Sequence, residues 1–329
     1  MDNEGPFRPR VGLWPVRLGG LTLVAGVALA VALGVSASRP SPVARVPREI
    51  ADRARGAEMA MKRAAQVIGQ AREAEAVASE APGGGAMSSL VGAELTPITS
   101  TFGNLEAKRV ATNPAWASVL VLRLYEAGLR RGDVAVAGLS GSFPGLNAAL
   151  VIACQSIGVD VFAISSVTAS SWGANQPGFT WPEMEIRLVR AGVIRQASIA
   201  VTAGGAGDRA LDLEPDGRAL ARQIAKAASV AMRVPLLEPS DFEDAVALRL
   251  LAYKRASGTR PIQLYVNVGG TEASLGRSAA VLHLKNGFLP GVPFDFSRDR
   301  GVMARFAERG VRVLTLLNVR DLALRWGIL

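Results

Sequence analysis

Cysteine and histidine are almost absent: the 329 residues hold one of each, Cys154 and His283. A disulfide framework needs cysteine pairs, and zinc or iron–sulfur sites need several Cys or His ligands. Those classes are excluded, and no metal site is expected. A Ser-His-Asp triad would have to use His283, which stands in AVLHLKNG among apolar neighbours with no nucleophile beside it. It reads as a packed structural histidine. Lysine is scarce too. Lys62, Lys108, Lys226, Lys254 and Lys285 are the only lysines among 37 basic residues, so arginine carries most of the positive charge behind the formal net of +9. Aromatics make up 5%, and no basic–aromatic stripe, RNP motif or zinc-finger spacing occurs, which leaves no nucleic-acid reading. Two accounts of the charge stay open: solvated arginine-rich faces, or a surface that handles a polyanion.

Charge itself is missing from one stretch. Residues 18–37, LGGLTLVAGVALAVALGVSA, contain no charged side chain. As a helix rising 1.5 Å per residue they reach about 30 Å, the thickness of a hydrocarbon core. That length favours a transmembrane signal anchor over a cleaved signal peptide, whose apolar region runs about 7–15 residues. Val35-Ser36-Ala37 nevertheless offers small residues for cleavage. Arg8, Arg10 and Arg17 precede the run; Arg39, Arg45, Arg48, Arg53 and Arg55 follow it. Counted literally they favour a cytoplasmic body. The short basic N-terminus before a signal-like run favours the opposite, a body outside the cytoplasm, and that orientation is the expectation.

Residues 1–17 are then a basic flank, 18–37 the anchor, 38–90 a helical stalk with a Gly-rich linker, and 91–329 an α/β domain. Residues 45–80 read as a charged, alanine-rich helix with sparse large apolar positions: Ile50, Met59, Met61, Val67 and Ile68. PGGGAMSS, 82–89, breaks the chain before the body.

The body alternates strand and helix. Aliphatic runs at 134–137, 159–164, 197–202, 262–268 and 311–316 lack polar alternation, as strands covered on both faces do. Helical patterns occupy 112–129, 145–156, 182–191, 216–232, 240–257, 273–284, 300–309 and 319–326, the first opened by Thr112-Asn113-Pro114. The expected fold is a doubly wound, mostly parallel, Rossmann-like sheet. Ligands of such sheets sit beyond the carboxyl ends of the strands. The segments there are GLSGSFPG, SSVTASSWGANQPGFTWPE, AGGAGDRALDLEPDG and NVGGTEASLG. Glycine lets backbone N–H groups turn inward, and helix N-termini add a positive dipole end, so an anion-binding crevice is expected.

No loop fits a named fingerprint. GLSGS departs from G-x-S-x-G at Ser142, no Walker motif occurs, and Gly138, Gly141 and Gly145 do not space as G-x-G-x-x-G. No cofactor is therefore identified. Ser140 and Ser142 keep three readings: loop formation and helix capping, anion binding, or a serine nucleophile. Lys108 and Arg109 lie in TPITSTFGNLEAKRVATNP, 96–114, which is either a surface turn or a lid bringing charge-assisted donors to a carboxylate or phosphate. Residues 165–185 hold Ser170, Ser171, Trp172, Asn175, Phe179, Trp181, Glu183 and Glu185, and a loop this long is usually functional or disordered, with its aromatics against disorder. Asp208, Asn267, Thr271 and Glu272 complete the polar groups at strand ends. The binding candidates are Lys108, Arg109, Asn113, Ser140, Ser142, Ser171, Trp172, Asn175, Asn267, Thr271 and Glu272. Ser140, Ser142 and Lys108 are also the catalytic candidates.

Five stretches carry a resemblance: STFGNLEAKRVATNP (100–114), GDVAVAGLSGSFPGLN (132–147), ASSWGANQPGFTWPEME (169–185), YVNVGGTEASLG (265–276) and LLNVRDLALRWGI (316–328). With the N-terminal span, they resemble the family called poly-gamma-glutamate system protein. The resemblance implies a single-pass membrane component of an apparatus that makes or exports poly-γ-glutamate, a capsule polymer. Its implied partners are the synthase subunits, among them an ATP-dependent amide ligase and small membrane proteins, together with the anionic polymer and the membrane. It supplies no catalytic mechanism. Three functions remain open: an accessory that binds the polymer or organises the synthase, a hydrolase or transferase acting on γ-glutamyl bonds through a serine, and a cytoplasm-facing phosphate or nucleotide binder.

Overall fold

A computed structural model describes residues 46–80, 86–278, 281, 283–289 and 300–329. The expected anchor at 18–37 lies outside the described residues, and among these no helix is long and apolar enough to cross a membrane. The described residues begin with α1 (Arg48–Ala74), a 3-10 turn (Ala86–Leu90), β1 (Thr99–Thr101), α2 (Leu105–Ala111) and α3 (Ala115–Glu126). Next come β2 (Val134–Leu139), α4 (Pro144–Ile157), β3 (Asp160–Ser166), β4 (Ala169–Ser170), α5 (Trp181–Arg190) and β5 (Ala200–Thr202). A 3-10 turn (Ala206–Asp208) leads to α6 (Pro215–Met232), β6 (Leu236–Leu237), α7 (Phe242–Ser257), β7 (Ile262–Val268) and α8 (Glu272–Leu275). The chain ends with β8 (Gly287–Phe288), α9 (Val302–Ala307), β9 (Arg312–Leu316) and α10 (Val319–Arg325).

Seven strands form one sheet in the order β6-β5-β3-β2-β7-β9-β8. All pairings are parallel except that of β8 with β9. β1 and β4 form a separate parallel pair. All six residues of the central β2 are buried, and they alternate between two cores. Ala135, Ala137 and Leu139 share one with α1, α3 and α4, whereas Val134 and Val136 share the other with α7 and α9. Helices on both faces explain why the strands read as unbroken aliphatic runs.

Two expectations are corrected. The helix expected to be a stalk belongs to the core. Ala54, Ala57, Met61, Ala64, Ala65 and Ile68 of α1 are buried, and the helix packs on α3 and α4. Four of those six residues are alanine, so the buried face has little hydropathy, but small side chains let the helices approach closely. The buried Arg72 ties down the far end, its Nε donating to Ser89 O at 2.7 Å and its Nη1 to Gln176 Oε1 at 2.8 Å. Among the described residues of the helix expected over 273–284, the α-helix is Glu272–Leu275. Gly276 takes a φ of 100°, a conformation that L side chains avoid, and bridges to Arg300 instead.

The chain steps outward from β2 through β3 and β5 to β6, then crosses back to lay β7, β9 and β8 on the other side of β2. The order reverses between β2 and β7. Loops leaving two such strands part in opposite directions and open a crevice at the carboxyl edge. Gly269 permits the close approach at its base. Its φ is 80°, and a Cβ there would stand 2.8 Å from Ser140 Cβ.

Candidate functional site

A cleft of ≈ 680 Å³ lies at this point of reversal. Ser140, Ser142 and Phe143 line it from beyond β2, Thr168 and Ser170 from the turn after β3 and from β4, and Gly205, Ala206 and Asp212 from beyond β5. Gly270, Thr271, Glu272 and Arg277 line it from beyond β7. The turns after four successive interior strands do converge. A strap, Ser100–Asn104, and the first turns of α2 complete the wall, bringing in Lys108.

Asn104 opens α2 by accepting the Ala107 N–H at 2.9 Å, which turns Lys108 inward. The Lys108 side chain is 3% exposed. Its Nζ donates to the carbonyl oxygen of Ser142 and, at 2.7 Å, to Ser170 Oγ. It also stands 3.9 Å from the centroid of the Phe143 ring. None of these partners carries a charge. Burial pushes the Lys108 ammonium from 10.5 down to about 7. The ring face favours the cation, but such a contact is worth only about 0.5–2 kcal/mol and does not reverse the effect of desolvation.

Ser170 is held from two sides. It pairs with Thr101 in the β1–β4 ribbon, and its N–H donates to Ser142 Oγ at 3.1 Å. Ser140 Oγ accepts the Ser142 N–H at 3.2 Å, so both loop hydroxyls are engaged as acceptors of backbone N–H groups. Ser170 is thus the serine whose hydroxyl meets the lysine, and it was not among the sequence candidates. β4 is two residues long and pairs with a strand of three, so no periodicity marks it; the signal was only the hydroxyl-rich ASS.

The charged side chains of the lining are not net basic, since burial leaves Lys108 largely neutral above about pH 7. Lys108 and Arg277 face Asp212 and Glu272. Both acids hold neighbouring backbone: Asp212 Oδ1 accepts the Ala206 N–H at 3.0 Å, and Glu272 Oε2 accepts the Gly207 N–H at 2.7 Å. Glu272 also lies 3.4 Å from Arg277 Nε. Thr271 lines the cleft and caps α8 through its carbonyl, which accepts the Ser274 N–H at 3.1 Å.

Six sequence candidates fall outside the lining. Arg109 is exposed. Asn113 caps α3, its Oδ1 accepting the Ala115 N–H at 2.9 Å. Ser171 donates its N–H to Thr101 O at 2.9 Å, and Trp172, with a φ of 64°, donates its own to Ala93 O at 2.8 Å. The buried Asn175 clamps residues 93–99, accepting from Ala93 N and donating to Ala93 O and Thr99 Oγ1. Asn267 Nδ2 donates to Gly269 O at 2.6 Å and shapes the turn from within the sheet. Ser171, Trp172 and Asn175 bind the segment after Ser170 to residues 93–101 and build the frame, whereas Asn113 and Asn267 shape their own turns.

Beneath the floor lies a buried pair that the sequence reading half saw. Arg249 of α7 donates to both carboxylate oxygens of Asp208, from Nη2 at 2.8 Å and from Nε. Its Nη2 also reaches Ser166 Oγ at 3.3 Å and Thr202 Oγ1 at 3.4 Å. Burial opposes the Arg249 charge, and the Asp208 carboxylate more than offsets it, holding the guanidinium ionised. The pair fixes the loop after β5 against α7.

His283 is exposed, not packed, which corrects the sequence reading. Cys154 is buried, and burial pushes its thiol up to about 12, so it offers no thiolate. Among the described residues no group of three or more His, Cys, Asp or Glu is placed to hold a metal ion. What the cleft offers chemically is an uncharged-partnered amine against a hydroxyl, surrounded by turns of exposed backbone. Compared with known proteins, the chain matches no family model, no curated protein sequence and no solved structure.

Proposed function

We propose that the chain is a component of a poly-γ-glutamate system whose cleft receives glutamyl units of the polymer. The observation that carries this reading is where the resembling stretches fall. Each of the five contributes to the cleft: the strap and Lys108 from the first, Ser140, Ser142 and Phe143 from the second, Ser170 from the third, Gly270, Thr271, Glu272, Leu275 and Gly276 from the fourth and Leu317 from the fifth. A lining that is not net basic suits a polymer whose backbone amides must be read as well as its carboxylates. Turns rich in N–H and hydroxyl groups read amides, and Arg277 is the half-exposed cation for a carboxylate.

Attraction of the polyanion then falls to the surface. One groove of ≈ 830 Å³ carries Arg123, Lys285, Arg312 and Arg325 against Glu126. Residues 18–37 supply the membrane anchor in this reading, with the body outside the cytoplasm.

Titration calorimetry of the detergent-solubilised full chain tests it, using γ-linked and α-linked glutamate oligomers of equal length. The γ-linked oligomer binds about ten-fold tighter or better, and Arg277→Ala narrows the gap. Equal affinity for both linkages, no binding, or binding of nucleotide alone overturns the proposal. A topology reporter at the C-terminus reads the side of the membrane, and a cytoplasmic signal removes the external orientation.

A further inference from the structure

We propose that Ser170 and Lys108 form a nucleophile–base pair that transfers an acyl group from an amide bond bound in the cleft. The γ-glutamyl identity of that amide rests on the polymer reading above; the pair itself rests on geometry alone. Ser170 Oγ and Lys108 Nζ are 2.7 Å apart, although 62 residues separate them in sequence. Both groups line the cleft and both are nearly buried, Ser170 at 7% and Lys108 at 3% exposure. Ser140 and Ser142 do not share this pairing: Lys108 Nζ reaches Ser142 through its carbonyl oxygen, and the two hydroxyls accept the N–H groups of Ser142 and Ser170.

A lysine buried for structure alone is expected to meet a carboxylate, because an unpaired ammonium is expensive to desolvate. Lys108 meets a carbonyl, a hydroxyl and an aromatic ring. The cheap state of such a side chain is the neutral amine, which has one lone pair. With Nζ donating to Ser142 O, that lone pair is directed to the Ser170 hydroxyl proton, a short bond that works in either direction. Among the described residues, the titratable groups elsewhere on the cleft wall are Asp212 and Glu272, with Arg277 paired to the latter.

The steps balance without a further reagent except water. Ser170 Oγ attacks the amide carbonyl carbon while its proton passes to Lys108 Nζ. The resulting ammonium gives that proton to the leaving amine nitrogen as the C–N bond breaks, leaving an ester on Ser170 and a neutral Lys108. Water then attacks the ester, again losing a proton to Lys108 Nζ. The C–O bond to Ser170 breaks, the proton returns to Oγ, and the carboxylic acid departs. An amine in place of water completes a transfer instead of a hydrolysis.

A fluorophosphonate probe tests the pair without any polymer. The full chain in detergent is expected to gain one adduct, which peptide mapping assigns to Ser170. The labelling rate is expected to rise with pH through a midpoint near 7 and to fall about 100-fold or more in Lys108→Met, a typical loss for a general base. Ser170→Cys, alkylated by iodoacetamide, gives a second readout: a thiol that reacts below its ordinary pH range only while Lys108 is present. An adduct elsewhere, no adduct, or Lys108→Met labelling at the parental rate overturns the proposal. Labelling at Ser170 without binding of γ-linked oligomers keeps the pair and removes the polymer reading. Binding without labelling does the reverse.

Discussion

Replacing Lys108 with methionine keeps the length of the side chain and removes the buried amine. Burial moves the amine's protonation from 10.5 to about 7 in the native state. At ~1.4 kcal/mol per pH unit, the folded chain gives up about 5 kcal/mol at neutral pH relative to a lysine left in water. Methionine escapes that cost but leaves Ser142 O and Ser170 Oγ without their donor, at ~1–2 kcal/mol each. Lys108→Met is therefore expected to be more stable than the parent at pH 7, by about 1–3 kcal/mol on the same bookkeeping.

The sign reverses at high pH. Between about 7 and 10.5 the unfolded chain holds a proton on Lys108 that the native chain has lost, so parental stability rises with pH relative to the variant. Above 10.5 neither state holds it, and the variant is the less stable by about 2–4 kcal/mol, the worth of the lost hydrogen bonds. Urea unfolding of the detergent-solubilised full chains, followed by circular dichroism from pH 6 to 11, measures the difference. Two curves separated by a constant amount, or a gap that moves the other way, would refute the claim that Lys108 is a desolvated amine. It would remove the chemical basis of the Ser170 pair as well.

Three further outcomes follow from the same structure. Burial raises the Glu185 carboxyl from 4.5 to about 7 against its bonds from Ser165 and Ser198. Relative to Glu185→Gln, parental stability is expected to fall by about 3 kcal/mol between pH 4.5 and 7 and to level off above, read by denaturant titration. Asp208→Asn leaves the Arg249 guanidinium buried without its carboxylate and is expected to cost about 3–5 kcal/mol; an unchanged melting temperature would show that the pair is not buried as described. Ala64→Leu overfills the seam of α1 and is expected to cost about 1–3 kcal/mol in thermal unfolding. A free stalk would tolerate it.

The amino-acid order alone determined the long strands and the helices that cover them. Ile262–Val268 is a strand at the same bounds in both readings, and 216–232 differs from Pro215–Met232 by one residue. Large aliphatic side chains report burial directly, and the turns at strand ends are marked by glycine and hydroxyl residues. From that pattern the converging turns at the carboxyl edge were legible, including Ser140, Ser142, Thr271 and Glu272. Lys108 was legible only as a candidate with two meanings.

Tertiary structure decided the rest. The buried face of α1 is mostly alanine, and a small side chain carries too little hydropathy to show which way a helix faces until its neighbours are in place. Ser170 became the partner of Lys108 through pairing of β1 with β4, two segments too short to have a period. Asp208 met Arg249 across 41 residues for the same kind of reason. Hydrophobic patterns record how each residue meets solvent, whereas a site depends on which distant backbones the sheet order brings to one edge.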